Sequence, residues 1–409
     1  MFYNLSRIII YIPLFIVSVF KGKLRKFLKR RLFQKINLKN QGKDYVWIHC
    51  ASVGEINLSE SLVREFLENT DFKVLITMMT DTGRATAEAK YKDDKNIDLL
   101  YFPLDDFFKI REILSKINLK ALVIIETEIW PNLIRMSSEK SKVVFVNGRI
   151  SDKSFKSYKR ISFYLKKLFS KVSFFLMQTE EDKNRIIDIG ASAEKVVNFG
   201  NLKFDVKLTD FTEEDLYKIR KELGLENRKI FVAGSTRNDE EEYILDVYDR
   251  LNDYFLILVP RHIERTADIE ERLLKNRYRY EKWSSMSRGV KEDTQVLLVD
   301  QMGILRKLYA ICDVAFVGGT LVNIGGHSLI EPLYYRKPPI FGKYLQNVKE
   351  ISKEITHRKI GYKVENTQEF IEAVQKIESK QVNLEDIDRF FRENTNVAAK
   401  TFKRIIDII

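Results

Sequence analysis

A chain of 409 residues is too long for one ordinary hydrophobic core, so two domains are expected. With 44% hydrophobic and 31% charged residues it is globular, and two distant cysteines, Cys50 and Cys312, exclude a disulfide framework. The net charge of +12 favours an anionic partner, and where that charge lies decides among nucleic acid, anionic lipid and phosphorylated ligand.

Charge and hydropathy are most uneven at the start. From Phe2 to Phe20 the only charge is Arg7, and the basic run Lys21, Lys23, Arg25, Lys26, Lys29, Arg30, Arg31 and Lys35 follows at once. A cleaved signal would place its positive charge first and end in small residues. The pattern predicts a membrane anchor instead, either spanning with Arg7 snorkelling or lying in the interface. In both cases the basic block is held on the cytoplasmic side against anionic headgroups. The competing reading is a buried helix of the first domain, which the basic run opposes.

Beyond residue 36, short apolar runs alternate with helical segments. Val46–His49, Lys73–Thr77, Leu99–Phe102, Leu122–Ile125, Val143–Val146 and Phe174–Met177 read as strands. A second series follows at Ile230–Ala233, Phe255–Val259, Val296–Val299, Val314–Val317 and Pro339–Phe341. Strands alternating with helices predict parallel sheets covered on both faces, so the fold class is α/β with two doubly wound, Rossmann-like domains. The division is an anchor and basic segment at 1–36, a first domain at 37–206 and a polar linker at 207–228. A second domain at 229–383 follows, then a helical segment at 384–409 that packs back on the first domain.

In open α/β sheets ligands sit beyond the carboxyl ends of the strands. After the first strand comes Ala51-Ser52-Val53-Gly54-Glu55. Glu55 at a helix start is expected to stay ionised near neutral pH and suits a general base, against the plainer reading of an N-terminal cap. After the fourth strand, Glu126-Thr127-Glu128-Ile129-Trp130-Pro131-Asn132 places Glu126 or Glu128 to orient an acceptor or support Glu55. Arg149 in Asn147–Ser151 and Lys203 in Gly200–Asp205 add cations to the same edge.

The second domain carries Ala233-Gly234-Ser235-Thr236-Arg237, then Pro260-Arg261-His262, then Asp300-Gln301-Met302-Gly303. Gly318-Gly319-Thr320 leads on to Gly325-Gly326-His327-Ser328-Leu329-Ile330-Glu331-Pro332. Glycine turns admit a phosphate to the backbone, Arg261 forks onto phosphate oxygens, and Glu331 accepts from ribose hydroxyls. Several such turns on neighbouring strand ends predict a nucleotide site. His327 and Glu331 are expected on one helical face at i, i+4, a pair read as hydrogen-bonding with no metal. Neither a phosphate-binding Gly-Lys-Ser/Thr loop nor a nucleophile elbow occurs. Acidic Glu55, Glu126 and Glu128 at strand ends also oppose a nucleic-acid partner.

In order, Ser52–Glu55, Glu126–Asn132, Asn147–Ser151, Gly200–Asp205, Ala233–Arg237, Pro260–His262 and Gly325–Pro332 resemble the motifs of bacterial 3-deoxy-D-manno-octulosonic acid (Kdo) transferases. The resemblance implies the GT-B architecture, two Rossmann-like domains facing a central cleft. It also implies metal- and cofactor-free, inverting transfer of Kdo from CMP-Kdo to the lipid A precursor lipid IVA at the cytoplasmic side of the inner membrane. By the same resemblance Glu55 is the base, Glu126 or Glu128 a second acidic residue near the acceptor, and Pro260, Arg261, Met302, Gly318, Gly319 and Glu331 form the CMP pocket, with His262 in the same motif. Ser328 departs from the family's usual Asn and removes an amide's paired hydrogen bonds from that pocket. The alternative is a GT-B enzyme using a UDP-sugar, or a nucleotide-sugar epimerase.

Overall fold

The structure, a computed structural model, describes residues 2–205, 208–251, 253–286 and 288–409. It divides into two units, one of Met1–Val206 with Asn394–Ile409 and one of Lys207–Glu393. The first unit holds strands β1 (Asp44–Cys50), β2 (Lys73–Met78), β3 (Ile97–Tyr101), β4 (Asn118–Ile125), β5 (Lys142–Gly148), β6 (Phe174–Met177) and β7 (Val196–Asn198). They form one sheet in the order β3-β2-β1-β4-β5-β6-β7, and every pairing is parallel. β1 is buried on both faces: Tyr45 and Trp47 enter one core cluster, Val46 and Ile48 the other. Burial on both sides explains why these strands read as unbroken apolar runs.

The second unit holds β8 (Lys229–Thr236), β9 (Tyr254–Pro260), β10 (Tyr280–Lys282), β11 (Val296–Leu298), β12 (Val314–Val317), β13 (Pro339–Phe341) and β14 (Tyr362–Lys363). Their order is β10-β11-β9-β8-β12-β13-β14. The order in which strands are added changes side once in each sheet, between β1 and β4 and between β8 and β12. A doubly wound sheet opens its crevice at that reversal, so the loops after these four strands are where ligands are expected.

Two boundaries differ from the sequence expectation. The stretch 207–228, where the sequence predicts a linker, contains the helix Glu213–Glu222, started by a capping box in which Thr212 and Asp215 exchange hydrogen bonds. Arg220 from this helix donates to Ile311 O and pairs with Asp313 at 3.0 Å, which fixes it to the second unit. The C-terminal segment is two helices: Leu384–Asn394, almost all of it in the second unit, and Val397–Ile406 in the first. The latter buries Val397, Ala398 and Ile405 beside the helix that follows β1, with Phe402 edge-on to Phe66 at 5.1 Å.

The N-terminal segment is helix α1 (Phe2–Phe20) followed by α2 (Gly22–Leu32). Among the described residues no helix is long and apolar enough to cross a membrane. Arg7 does not reach for an aqueous interface: its guanidinium donates to Leu104 O and Tyr11 Oη, both at 3.0 Å, and lies over the Tyr11 ring. Tyr3 donates to Asp105 at 2.7 Å and Tyr11 to Leu104 O at 2.6 Å, so α1 is stitched to the loop after β3. Its other side leaves Ile12, Ile16, Val17, Val19 and Phe20 exposed. Part of the basic block is buried after all. Arg31 is fully enclosed between the rings of Phe27 and Tyr101, donates to Met79 O and Phe27 O, and faces Asp81 at 3.5 Å.

Candidate functional site

In the first unit the strand-end residues gather where the sheet reverses. Helix α3 (Val53–Asn69) starts directly after β1, capped by Ser52, whose Oγ accepts from Glu55 N at 3.4 Å. Glu55 is only 6% exposed. Its two oxygens accept from Ala51 N at 2.6 Å and Ser52 Oγ at 3.0 Å, so the capping role and the buried carboxylate coexist. Burial, and secondarily the charges of Glu126 and Glu128, raise its pKa to about 7 against the bond from Ala51. It is therefore close to half protonated at neutrality, contrary to the sequence expectation. Desolvation outweighs the helix dipole and the cap.

Glu126 follows β4 in the left-handed region, at φ +58, and Asn147 at the end of β5 shares that value. Left-handed backbone costs an ordinary residue roughly 1 kcal/mol, and such strain clusters at functional sites. Burial raises Glu126, while the charges of Lys203 and Arg149 pull it back. Lys203 is itself lowered by burial. Glu128 is raised by burial against a bond from Trp130 Nε1 at 3.1 Å. The structure thus brings Glu55, Glu126, Glu128, Arg149 and Lys203 into one electrostatic group at the ends of β1, β4 and β5. Arg149 N donates to Thr127 Oγ1 at 3.0 Å and Thr127 Oγ1 to Arg149 O at 2.7 Å, which ties the two loops together.

Supporting residues invisible in the sequence lie beneath. Asp105 is fully buried and accepts from Asn132 N at 2.9 Å, Leu133 N at 2.8 Å and Tyr3 Oη. It thereby caps the helix Pro131–Ser138, whose own N-cap Trp130 makes no side-chain cap bond. His49, fully buried, meets Thr77 Oγ1 at 2.9 Å, and burial lowers its pKa to about 3. It is neutral and is not a general base.

In the second unit the glycine turn departs from expectation. Gly318 N donates to Gly234 O at 2.8 Å, and a Cβ at Gly318 would stand 2.4 Å from Ser235 O, so this glycine serves close approach of β12 to β8. Gly319 N donates to Glu240 at 2.7 Å. Glu240, fully buried, also takes Arg237 N at 2.9 Å, Thr320 N at 3.0 Å and Leu321 N at 2.9 Å. A carboxylate of the chain itself fills the backbone cradle read as a phosphate site. Neither glycine N–H is open to a ligand.

Positive charge collects instead around Arg237, which donates to His327 Nε2 at 3.2 Å and His262 Nε2 at 2.6 Å. Arginine has only donors, so in both contacts the ring nitrogen accepts. Burial, then the charges of Arg237 and Arg261, lower the pKa of His327 to about 4. Pro260 is the last residue of β9 rather than the first beyond it, and Arg261 N donates back to Thr236 O at 3.0 Å. Arg261, His262, Ser328 and Met302 are exposed. Glu331 lies 3.5 Å from Arg306 and is raised by burial. His327 and Glu331 do not share a helix, because the helical turn Ile330–Tyr334 begins only after the left-handed Gly325 and Gly326 and the loop behind them. Among the described residues no three His, Cys, Asp or Glu side chains gather as a metal site.

The family model of 3-deoxy-D-manno-octulosonic-acid transferase (kdotransferase) matches residues 26–206. The chain is 51% identical over 387 residues to a bifunctional glycosyltransferase/methyltransferase of Fusobacterium nucleatum, a match covering 94% of this chain and 60% of that protein, so the chain spans about three-fifths of its length. It is 31% identical to the 3-deoxy-D-manno-octulosonic acid transferase of Haemophilus influenzae, over 89% of this chain and 86% of the relative. A solved glycosyltransferase from Rickettsia africae covers 90% of this chain and 99% of its own with a TM-score of 0.58, and at 16% identity that is a likeness of fold.

Proposed function

The chain belongs to the 3-deoxy-D-manno-octulosonic acid transferase family, and on that premise we propose that it transfers Kdo from CMP-Kdo to a hydroxyl of lipid IVA at the cytoplasmic face of the inner membrane. The observation that carries the reading is Glu55: a buried carboxyl with a pKa of about 7, one strand from two further carboxyls. A general base works best when its pKa lies near the working pH.

In this reading Glu55 takes the proton of the acceptor hydroxyl as that oxygen bonds to the anomeric carbon of Kdo. The bond from that carbon to the CMP phosphate oxygen breaks, and CMP leaves with the electron pair. Arg261 and Arg237 balance the charge on the departing phosphate, with His262 and His327 held against Arg237. Glu331 receives the ribose hydroxyls. Glu126 and Glu128 orient the acceptor and hold the pKa of Glu55 up. The exposed apolar side of α1 and the remaining cations of α2 support contact with an anionic membrane surface.

The test is to incubate the full chain with CMP-Kdo and lipid IVA and weigh the lipid. A product heavier by one or more Kdo residues is expected. Unchanged lipid, from protein that binds CMP, would reject the acceptor; stabilisation by UDP-sugars and not by CMP would reject the donor.

A further inference from the structure

A cavity of about 540 Å3 opens in the first unit immediately beyond the acidic loop, its wall beginning at Pro131 and Asn132, next in sequence to Trp130. None of Glu55, Glu126, Glu128, Arg149 or Lys203 lines it. The helix Ser162–Phe169 contributes Phe163, Tyr164 and Leu168, and α1 closes another side with Tyr3 and Asn4. Asn4 accepts from Asn132 Nδ2 at 2.6 Å, so the contribution of α1 is fixed to the same helix that carries the loop.

The chemistry of the lining is divided. Phe163 is 82% exposed, a large ring left in water at the cavity. Arg135, Lys167 and Lys171 supply three cations, and among the described lining residues there is no carboxylate. Arg135 is on the same helical face as Pro131 and Asn132 by its spacing, and Lys167 and Lys171 are four residues apart. Asp105 is buried behind this wall, accepting from Tyr3, Asn132 and Leu133, and does not line the cavity. An apolar hollow of small-molecule size whose lining carries cations and no carboxylate fits a molecule that is part hydrocarbon and part anion. A bare phosphate would leave the hollow empty.

We propose that this cavity seats an acyl chain of the phosphorylated lipid acceptor, with a phosphate of that lipid on Arg135, Lys167 and Lys171. Naming the lipid as the acceptor rests on the functional reading above; the cavity's preference for a phosphorylated acyl lipid does not. The contiguous path Glu126–Trp130–Pro131 then sets the sugar of the seated lipid beside the carboxylates. It also gives α1 a second task, since Tyr3 and Asn4 complete the wall.

The test has two arms. Calorimetric titration of the full chain with monomeric dihexanoyl phosphatidic acid should show binding, with inorganic phosphate and dihexanoyl phosphatidylcholine each at least about tenfold weaker. The combined variant Arg135→Gln, Lys167→Gln, Lys171→Gln should bind phosphatidic acid at least about tenfold more weakly, with CMP affinity unchanged. Phe163→Ser, which alters only the apolar wall, should weaken phosphatidic acid and leave inorganic phosphate as it was. In the second arm the triple variant should raise the KM for lipid IVA by a similar factor, leaving kcat and the KM for CMP-Kdo alone. Phosphate binding as tightly as phosphatidic acid, or a triple variant that binds the lipid normally, overturns the proposal. Weakened phosphatidic acid with an unaltered KM for lipid IVA overturns the assignment to the acceptor. Cation-dependent lipid binding in a protein that transfers no Kdo would uphold the cavity and count against the functional reading instead.

Discussion

In the proposed reaction Glu55 confers a pH dependence whose sign follows from its environment. Its carboxyl is raised from 4.5 to about 7 in the folded chain. The base form therefore accumulates as pH rises through about 7, and kcat should rise with it and then level. Glu55→Gln is expected to lower transfer about 10²–10⁴-fold, to remove that limb of the profile and to leave CMP binding intact. More than about a tenth of the rate remaining would mean another base. The same shift acts on stability with the opposite slope. The folded state holds the proton between 4.5 and about 7 while the unfolded state does not, so this site's contribution is greatest at the acid end and is lost as pH rises to about 7. Glu55→Gln should hence raise the melting temperature at pH 8 and change it little at pH 5. On the donor side, Arg261→Ala and Glu331→Ala are each expected to weaken CMP in calorimetry, and unchanged affinity in both would move the pocket elsewhere. Asp105→Ala removes a cap on two N–H groups and a partner of Tyr3; a loss of at least about 1–2 kcal/mol in chemical denaturation is expected. Glu55 was legible because a carboxylate after an apolar strand and a glycine is a local pattern. Asp105 and Glu240 were not, since each acts on backbone N–H groups distant in sequence, Asp105 on Asn132 and Glu240 on Gly319.

At the level of elements, strands buried on both faces were readable and narrow edge strands were not. β10 and β14 are three and two residues, partly polar, and exist only because a neighbour supplies the ladder. The helix Glu213–Glu222 carried a readable Thr-x-x-Asp start that its polar composition hid. The N-terminal pair shows why pattern alone divides the chain in the wrong place. A basic run looks solvent-bound, yet Arg31 is enclosed, because two aromatic rings and a carbonyl satisfy its planar guanidinium. Truncation should expose the difference. A chain lacking residues 1–20 is expected to lose vesicle binding and keep CMP binding and most of its stability. One lacking residues 1–31 should melt lower by several degrees, having lost the Arg31 contacts with Met79 and Tyr101. Equal melting of the two by scanning calorimetry would show that α2 contributes nothing to the core.

For the molecule as a whole, alternation of strand and helix was enough to foresee two parallel sheets, and the helical segment expected to pack back on the first domain does so, through Val397–Ile406 rather than from residue 384 onward. Val397, Ala398, Thr401 and Ile405 are buried in the first unit, and Asp205 accepts from Ala398 N. Deleting residues 397–409 should therefore destabilise the first unit selectively: Trp47, buried there, should become exposed at lower denaturant, while CMP still protects the second unit. Simultaneous loss of both transitions would contradict that independence. The arrangement also bears on how the chain is made. Translation delivers domains from the N-terminus onward, and each usually folds as it emerges. Here the helix Val397–Ile406 is synthesised after the entire stretch Lys207–Glu393. Until that helix has been made, α3 and its apolar neighbours stay uncovered, so the nascent chain has a window in which a chaperone can shield that face before Val397–Ile406 seals it.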